Sequence, residues 1–363
     1  MSMSNELSSL SRKKEDENFF IRVLKYFFPW KGDNLGEVIR KFVFMASIVF
    51  FCISINGVMD YFKVDVKELE MQKQIAQLAP DFDFDTDAPQ QDKNGDVIDD
   101  NLGTTVSPQW SALLEKNKDT IGWFSIPTYV DDENNPYINF PVMFTERQYL
   151  NAKGEYEDFY LKHDFYEKYN QFGTLYLDWR VPVNSATDHA DNITIYGHHM
   201  KATGRMFTRL HEYKANVDFL KQNPLLSFDT IYTKNQKYII VSCFVSSVDP
   251  EQDNGELFAY WQYRNFDEEH TFESFMDNIN KRSWYSSNID CNEDDDFITL
   301  STCTNEVGNS KLRWVMIARR VRPSDDIEAL VASYAEKADS DIYFPRVWIN
   351  RHGNKKVYLG WQY

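Results

Sequence analysis

Residues 297–303 read FITLSTC and residues 312–321 read LRWVMIARRV, two largely apolar runs joined by a short polar segment. Their length and their content of Ile, Leu, Val and Trp predict strands over 296–302 and 312–321, linked as a hairpin. Similar short runs occur earlier and are separated by turn clusters; they begin at Gly122 and then cover 137–144, 173–178, 192–196 and 236–248. This pattern is typical of a mainly β fold, a barrel or sandwich with a few helices.

Two helical patterns accompany the predicted strands. Ser107-Pro108 is a helix N-cap and first-turn pair, and it marks the expected start of the folded domain. Between two late strands, Asp267–Lys281 places Phe272, Phe275, Met276 and Ile279 at helical spacing. We therefore expect a helix that packs one apolar face against the sheet.

Composition excludes several classes of protein. The chain has 363 residues, 42% of them hydrophobic, which is enough to form a core and argues against wholesale disorder. A formal net charge of −17 argues against a nucleic-acid binder, which needs a basic face. Four cysteines are too few for a disulfide scaffold, and no CxxC pair indicates a zinc site. No metal and no cofactor are expected.

One uncharged stretch has the length of a membrane span. Residues 42–59 read FVFMASIVFFCISINGVM, and 18 helical residues cover about 27 Å at about 1.5 Å per residue. A buried core helix and a cleaved signal peptide are the alternatives. The run begins late and is followed by Asn56-Gly57-Val58-Met59-Asp60, a poor cleavage site, so an uncleaved transmembrane anchor is the favoured interpretation.

Flanking charge predicts the orientation of that anchor. Residues 1–41 carry eight Lys and Arg, whereas the twenty residues after the span carry three. Positive flanks stay inside, so 1–41 are expected in the cytoplasm. Residues 19–30 are expected either along the inner membrane surface or in a disordered tail. Residues 60–106 are expected to form an extracellular acidic linker. The Asp83-x-Asp85-x-Asp87 spacing lacks the Gly and Glu of a calcium loop.

Cys303 is the first candidate for chemistry. It ends the 297–303 run between Ser301, Thr302, Thr304 and Asn305, and polar neighbours predict an exposed strand end rather than a buried thiol. Arg313 follows ten residues later, at the start of the partner strand, so a hairpin would bring it close to Cys303. A guanidinium there can favour the thiolate and stabilise negative charge on a carbonyl oxygen.

His198 is the second candidate. It follows a strand-like run and a glycine in TIYGHHM, residues 194–200. A histidine after a tight turn at a strand end suits general acid–base work, although an isolated histidine is more often structural. His, Cys and Arg at three strand ends would form a coherent nucleophilic site.

These segments together resemble the class B sortases. The resemblance rests on ITIYGHHM (193–200), TLSTC (299–303), the ten-residue interval from Cys303 to Arg313 and the late helix, and it covers about residues 107–321. It implies a sortase-like eight-stranded β-barrel with peripheral helices. The resulting division is 1–41 cytoplasmic, 42–59 anchor, 60–106 linker, 107–321 catalytic domain and 322–363 extension.

The resemblance also implies an activity and partners. A sortase is a cysteine transpeptidase on the outer face of a Gram-positive membrane. Cys303 would attack the Thr carbonyl of a surface protein's C-terminal sorting motif and form an acyl-thioester. His198 would transfer protons, Arg313 would hold the substrate and the oxyanion, and Ser301 matches a substrate-contacting position. The acceptor would be an amine of a peptidoglycan precursor or another cell-wall amine.

Several features depart from the family or leave alternatives open. Class B members usually carry Asn after the catalytic His, whereas this chain has His199. Residues 346–363 predict a hairpin turning at His352-Gly353-Asn354, which could pack on the barrel, cover the site or be an ornament.

Cys243 and Cys291 are expected to be unpaired, with a disulfide between them as the alternative. Arg319 and Arg320 are expected to tolerate lysine.

Two other functions compete with this interpretation. Another cell-wall cysteine peptidase, such as an L,D-transpeptidase, would place its His only a little ahead of the Cys, whereas His198 lies far upstream of Cys303. A non-enzymatic surface-tethered β-domain would have no reason to bring His, Cys and Arg together. The sorting motif and the acceptor cannot be deduced from the sequence.

Overall fold

The structure is a computed structural model that describes residues 19–80, 105–181, 183–253, 255–308 and 311–360, without the side chains of 19, 20, 22 and 60–65. The chain divides into two compact units, Met1–Met71 and Gln72–Tyr363.

The first unit is helical where it is described, apart from residues 28–34, which join its two helices. Helix α1 spans Phe19–Phe27, and helix α2 begins at Leu35 and continues to Ala76. Within α2, Leu35–Met59 is long and apolar enough to cross a membrane. None of the residues in its most apolar 18-residue stretch is buried. Length and composition fit a membrane span or a signal sequence equally, so the predicted anchor at 42–59 lies in a helix suited to either role.

The region expected to be a linker begins as helix. α2 runs past Met59 to Ala76, so residues 60–76 continue the helix instead of leaving it. The acidic run at 81–100, with Asp83, Asp85 and Asp87, lies outside the described residues.

The second unit contains a closed eight-stranded barrel, which confirms the predicted fold. Its strands are β1 Thr120–Ser125, β2 Asn139–Met143, β3 Leu175–Leu177, β4 Asn192–Tyr196, β5 Leu225–Thr230, β6 Lys237–Ser247, β7 Phe297–Cys303 and β8 Leu312–Arg320. Around the barrel their order is β1-β2-β3-β4-β7-β8-β6-β5. β7 pairs with β4 in parallel and with β8 in antiparallel fashion.

Strand β7 lies between β4 and β8 in the barrel, and its sequence suits this position. Every residue of β7 except Cys303 is buried. A strand covered on both faces needs near-continuous apolar or small side chains, and FITLSTC provides them. β7 therefore forms a rigid support for the residues at its C-terminal end.

Helix α5, at Phe272–Arg282, packs against strands β6, β7 and β8, as predicted. Thr271 caps it, because the Thr271 hydroxyl accepts a hydrogen bond from the Ser274 amide at 3.2 Å. Phe275 and Ile279 pack in one cluster with Phe297 of β7. The pattern predicted the start at Asp267, but Asp267 instead accepts amide hydrogen bonds in the preceding turn.

Strand β5 was missing from the predicted strands. Its sequence, LLSFDT, carries three polar residues, yet all of β5 after Leu225 is buried. Asp229 is tolerated because its carboxylate accepts the amides of Asn235 and Gln236 at 2.9 and 2.8 Å. The buried polar groups are thus satisfied by the turn that leads into β6.

Short elements decorate the barrel. The helices are α3 Ser111–Lys116, α4 Val217–Gln222, α6 Ile327–Ala332 and α7 Arg346–His352. Three two-stranded ribbons pair Gln148–Leu150 with Tyr156–Asp158, His199–Met200 with Arg205–Met206, and Tyr285–Ser286 with Ala335–Glu336. Ser107 precedes a helical turn as predicted, but its side chain makes no capping hydrogen bond.

The prediction of a C-terminal hairpin is wrong. Residues 346–352 form helix α7, and Gly353 ends it with φ of 74°, a conformation that favours glycine. Gly353 therefore stops a helix rather than joining two strands. Trp348 of α7 is fully buried and packs against Trp284 and Phe344, so this part of the extension packs on the barrel unit.

Candidate active site

The register of the β7–β8 hairpin places Cys303 directly opposite Arg313. Cys303 is the last residue of β7 and Arg313 is the second residue of β8, so both lie where the ladder ends. The hairpin predicted from the sequence is confirmed. Side chains on directly opposite residues of an antiparallel pair lie on the same face of the sheet, which brings the thiol and the guanidinium together.

His198 lies at the same end of the barrel, because it follows strand β4, which runs parallel to β7. Tyr196, the last residue of β4, pairs with Ser301 of β7, so His198 lies level with Cys303 two residues further along. Gly197 makes this turn possible, because a Cβ atom there would lie 2.6 Å from side-chain atoms of both Leu175 and Phe207. Packing therefore requires glycine at position 197.

A cavity of about 420 Å³ opens at this end of the barrel. All four residues predicted for the site line it, namely His198, Ser301, Cys303 and Arg313. The volume lies in the usual range for ligand pockets.

His198 is held as a neutral imidazole. Its Nε2 lies 2.7 Å from the Leu161 carbonyl oxygen, which can only accept, so Nε2 carries a proton and donates it. Burial lowers the pKa of His198 to about 4, although the same carbonyl acts in the opposite direction. Near pH 7, Nδ1 is therefore the nitrogen that can take up a proton.

Arg313 has donor capacity to spare. Its Nη1 donates to the carbonyl of Leu312 at 3.1 Å. Within the described ranges, no carboxylate lies at ion-pair distance from its half-buried guanidinium. A cationic fork in this state can bind a carbonyl oxygen or a developing oxyanion.

Ser301 and the other polar neighbours of Cys303 differ from expectation. Ser301 is buried, and its hydroxyl is 2.7 Å from the Tyr260 hydroxyl. Thr302 and Thr304 are buried as well, so the argument that polar neighbours signal an exposed strand end is wrong. Cys303 is partly exposed because the cavity opens beside it.

The remaining cysteines are poorly suited to nucleophilic chemistry. All four cysteines, including Cys243 and Cys291, are free thiols in the structure. Burial raises the pKa of Cys243 far above its usual value and that of Cys291 to about 12. In the part of the chain that the structure describes, no group of three or more His, Cys, Asp or Glu residues could hold a metal ion.

Sequence reasoning missed several aromatic residues and an arginine that line the cavity. Tyr176, Tyr196, Tyr260 and Trp261 line it together with Arg180. Within the segment 173–180, the spacing of a tyrosine, an aspartate and an arginine was the available signal. No pattern singles out Tyr260 and Trp261, which lie in a short 3-10 helix, Tyr260–Gln262.

Arg180, at the cavity wall, forms an ion pair with the buried Asp178. Arg180 donates from Nε to Asp178 at 2.7 Å, and the Tyr196 hydroxyl donates to the same carboxylate at 2.9 Å. Asp158 also lines the cavity, and burial followed by the nearby Asp178 charge raises its pKa. The buried Asp178 thus fixes Arg180 and Tyr196 at the cavity wall.

Comparison with known proteins finds two relatives with the same name, sortase B. Over 226 residues, 62% of this chain and 79% of the relative, the sequence is 29% identical to sortase B of Listeria monocytogenes. Over 219 residues, 60% of this chain and 77% of the relative, it is 25% identical to sortase B of Staphylococcus aureus. No family model matches the chain.

A solved structure shares the fold. The crystal structure of sortase B from Bacillus anthracis in complex with AAEK1 superimposes with a TM-score of 0.50 and 20% sequence identity, covering 72% of this chain and 99% of that one. The predicted resemblance in sequence and the predicted barrel are both supported by these comparisons.

Proposed function

The chain is a homologue of the class B sortases, and from that premise we propose that it is a membrane-anchored cysteine transpeptidase. It cleaves a C-terminal sorting motif of surface proteins and transfers the product to a cell-wall amine, in a peptidoglycan precursor or elsewhere. The catalytic domain is assigned to residues 107–321. The proposal rests on one observation above all, that His198, Cys303 and Arg313 line one cavity at three strand ends.

In the proposed acylation step, Cys303 is the nucleophile. Its sulfur attacks the carbonyl carbon of the scissile peptide bond, and the thiol proton passes to Nδ1 of His198. The imidazolium then gives a proton to the departing amine as the C–N bond breaks, and an acyl-thioester remains on Cys303. The Leu161 carbonyl accepts from Nε2 of His198 and so stabilises the transient imidazolium.

The second step regenerates the thiol. The acceptor amine attacks the thioester carbonyl and loses a proton to His198 as the new C–N bond forms. The C–S bond then breaks, and the sulfur recovers its proton from the imidazolium. Arg313 donates to the carbonyl oxygen while it carries negative charge in both steps. Ser301 contributes to the wall that the substrate contacts.

We expect Arg313 to act through guanidinium geometry rather than through charge alone. Two parallel donors suit an oxyanion, whereas an ammonium is a point charge. Loss of one oxyanion donor typically costs about 10²–10³ in rate, so Arg313→Lys should lose a large part of that and Arg313→Ala at least as much. The measurement is kcat/KM for a cleaved peptide, obtained from a peptide library.

Arg320→Lys is the matched control for this experiment. Arg320 ends the same strand, and its guanidinium lies at the surface, 3.1 Å from Asp296. This variant should stay near wild-type activity, with folding of both variants checked by circular dichroism. Wild-type kcat/KM in Arg313→Lys would reject the bidentate role and leave Arg313 as a general electrostatic aid.

The same proposal includes a location. We place α2 across the membrane with residues 1–41 inside and the barrel outside, because Lys and Arg are concentrated before the span. Protease added to intact, wall-stripped cells should remove the barrel unit and leave a fragment that retains 1–41. Full protection of the barrel unit would show that the orientation is reversed.

A further inference from the structure

Four polar side chains lie buried behind Cys303, away from the described chemistry. They are His211, Lys214, Thr304 and Glu306, here called the buried network. The side chain of Lys214 is 0% exposed, and those of His211 and Glu306 are each 1% exposed. None of them lines the cavity. A buried lysine is rare in proteins and requires partners for its charge.

Lys214 has a partner for each of its three ammonium protons. Nζ lies 2.7 Å from the Thr304 hydroxyl and 3.1 Å from Nδ1 of His211, and it forms an ion pair with the Glu306 carboxylate. The Thr304 hydroxyl in turn donates to the same carboxylate. Burial raises the pKa of Glu306, but the Lys214 charge outweighs it and keeps the pKa low.

The network ends on the backbone of Cys303. Nδ1 of His211 accepts from Lys214, so Nε2 carries the ring proton and donates it to the Cys303 carbonyl at 3.1 Å. Burial, reinforced by the Lys214 charge, lowers the pKa of His211 to about 3, so the ring is neutral and has this one proton to donate. His199, where the family usually has Asn, stacks on His211 with ring centroids 4.1 Å apart.

The C-terminal helix α7 closes the network on its other side. Trp348 is fully buried, with its ring centroid 5.9 Å from Nζ of Lys214, and Trp314 of β8 lies at 5.0 Å. His352 at the end of α7 places Nε2 3.2 Å from the Glu306 carbonyl oxygen. The extension therefore contacts both members of the buried ion pair.

We propose that the buried network, closed by helix α7, positions the Cys303 backbone for acyl transfer. Buried ion pairs seldom add net stability, because the desolvation of both charges offsets their attraction. Their partners are nevertheless restricted in geometry, and here the chain of hydrogen bonds ends on the residue that carries the nucleophile. The residues involved are positioning residues. This inference rests on the proposed function of Cys303.

His211 offers the most direct test in the full chain, purified in detergent. His211→Leu removes the donor to the Cys303 carbonyl, whereas His211→Gln retains an amide donor of similar reach. We expect His211→Leu to lower kcat on the order of 10²-fold with little change in KM, because a displacement of about 1 Å at the nucleophile slows chemistry and not binding. His211→Gln should recover much of that loss.

A double substitution separates positioning from folding. Lys214→Met/Glu306→Leu removes both charges together and leaves no unpaired buried charge, so the barrel should fold. The matched control is Arg319→Met/Asp325→Leu, which removes another buried ion pair, 3.0 Å long, that involves the far end of β8. We expect kcat to fall in the first variant and to stay unchanged in the second at comparable melting temperatures. Trp348→Leu should resemble the first.

Hydrogen exchange supplies a readout that needs no substrate. Amides of the segment that follows Cys303, up to Gly308, should exchange at least tenfold faster in the network variants and at the wild-type rate in the control. Unchanged exchange would overturn the positioning role even if no peptide is cleaved by the wild type. An active wild type with unchanged kcat in His211→Leu and in the double variant would overturn it as well. Inactivity of the wild type towards all peptides counts against the proposed function alone.

Discussion

Replacement of Cys303 by alanine is expected to abolish acyl transfer while the barrel remains folded. Cys303 is the cysteine that lines the cavity with His198 and Arg313. Removal of a covalent nucleophile from a triad-like site costs on the order of 10⁴-fold or more. The side chain is small and lies at a strand end, so its truncation leaves the core intact.

The measurement is cleavage of a peptide library by the full-length chain in detergent, followed by kcat/KM for one cleaved peptide. Cys291→Ala is the control, because Cys291 is also a free, partly buried thiol but lies outside the cavity. It should keep wild-type activity. Activity retained in Cys303→Ala and lost in Cys291→Ala would reject the assignment of the nucleophile.

His198→Ala should produce the second largest loss. Positioned general acid–base catalysis typically contributes about 10²–10⁴-fold, and this imidazole serves both half-reactions in the proposed mechanism. Since burial lowers its pKa to about 4, the ring is neutral near pH 7 and its Nδ1 lone pair is available. The loss should therefore appear in kcat for both the cleavage step and the transfer step.

His163→Ala is the matched control for His198. The His163 ring also lies 2.7 Å from a backbone carbonyl oxygen, that of Phe159, but it does not line the cavity. We expect its variant to cleave and transfer at near wild-type rates. Equal losses in the two variants would indicate that His198 acts through the fold instead of through proton transfer.

Much of the site could be predicted because it depends on strand registers. In an antiparallel hairpin, ten residues from Cys303 to Arg313 allow the two to face each other, and Cys303 does pair with Arg313. A parallel neighbour brings His198 to the same edge. These relations follow from strand periodicity and from the resemblance to a known family.

Other features could not be predicted because they depend on long-range packing. Lys214 and Glu306 are 92 residues apart in the chain, and an isolated lysine suggests an exposed residue. Gly353 occurs in a segment that suits a hairpin, yet this segment forms helix α7 and buries Trp348 completely. In both cases burial in the tertiary structure, rather than local sequence preference, determined the conformation.

Arg319 illustrates the same limit. It was expected to tolerate lysine as a residue further along β8, but its side chain is fully buried and its two terminal nitrogens contact the Asp325 carboxylate at 3.0 and 3.1 Å. Lysine cannot reproduce this fork. Arg320, partly exposed, is therefore the better control on that strand.

The mass of the enzyme during turnover tests the central claim most directly. The 363-residue chain is mixed with the peptide library, and the reaction is quenched in acid. The protein is then digested, and the mass of the peptide that contains Cys303 is measured by mass spectrometry. We predict an acyl adduct on Cys303 that is absent from Cys303→Ala, accumulates in the absence of an acceptor and disappears when an amine is added, with the amine joined to the released fragment. Cleavage without any adduct on Cys303, or an adduct on another residue, would contradict the account.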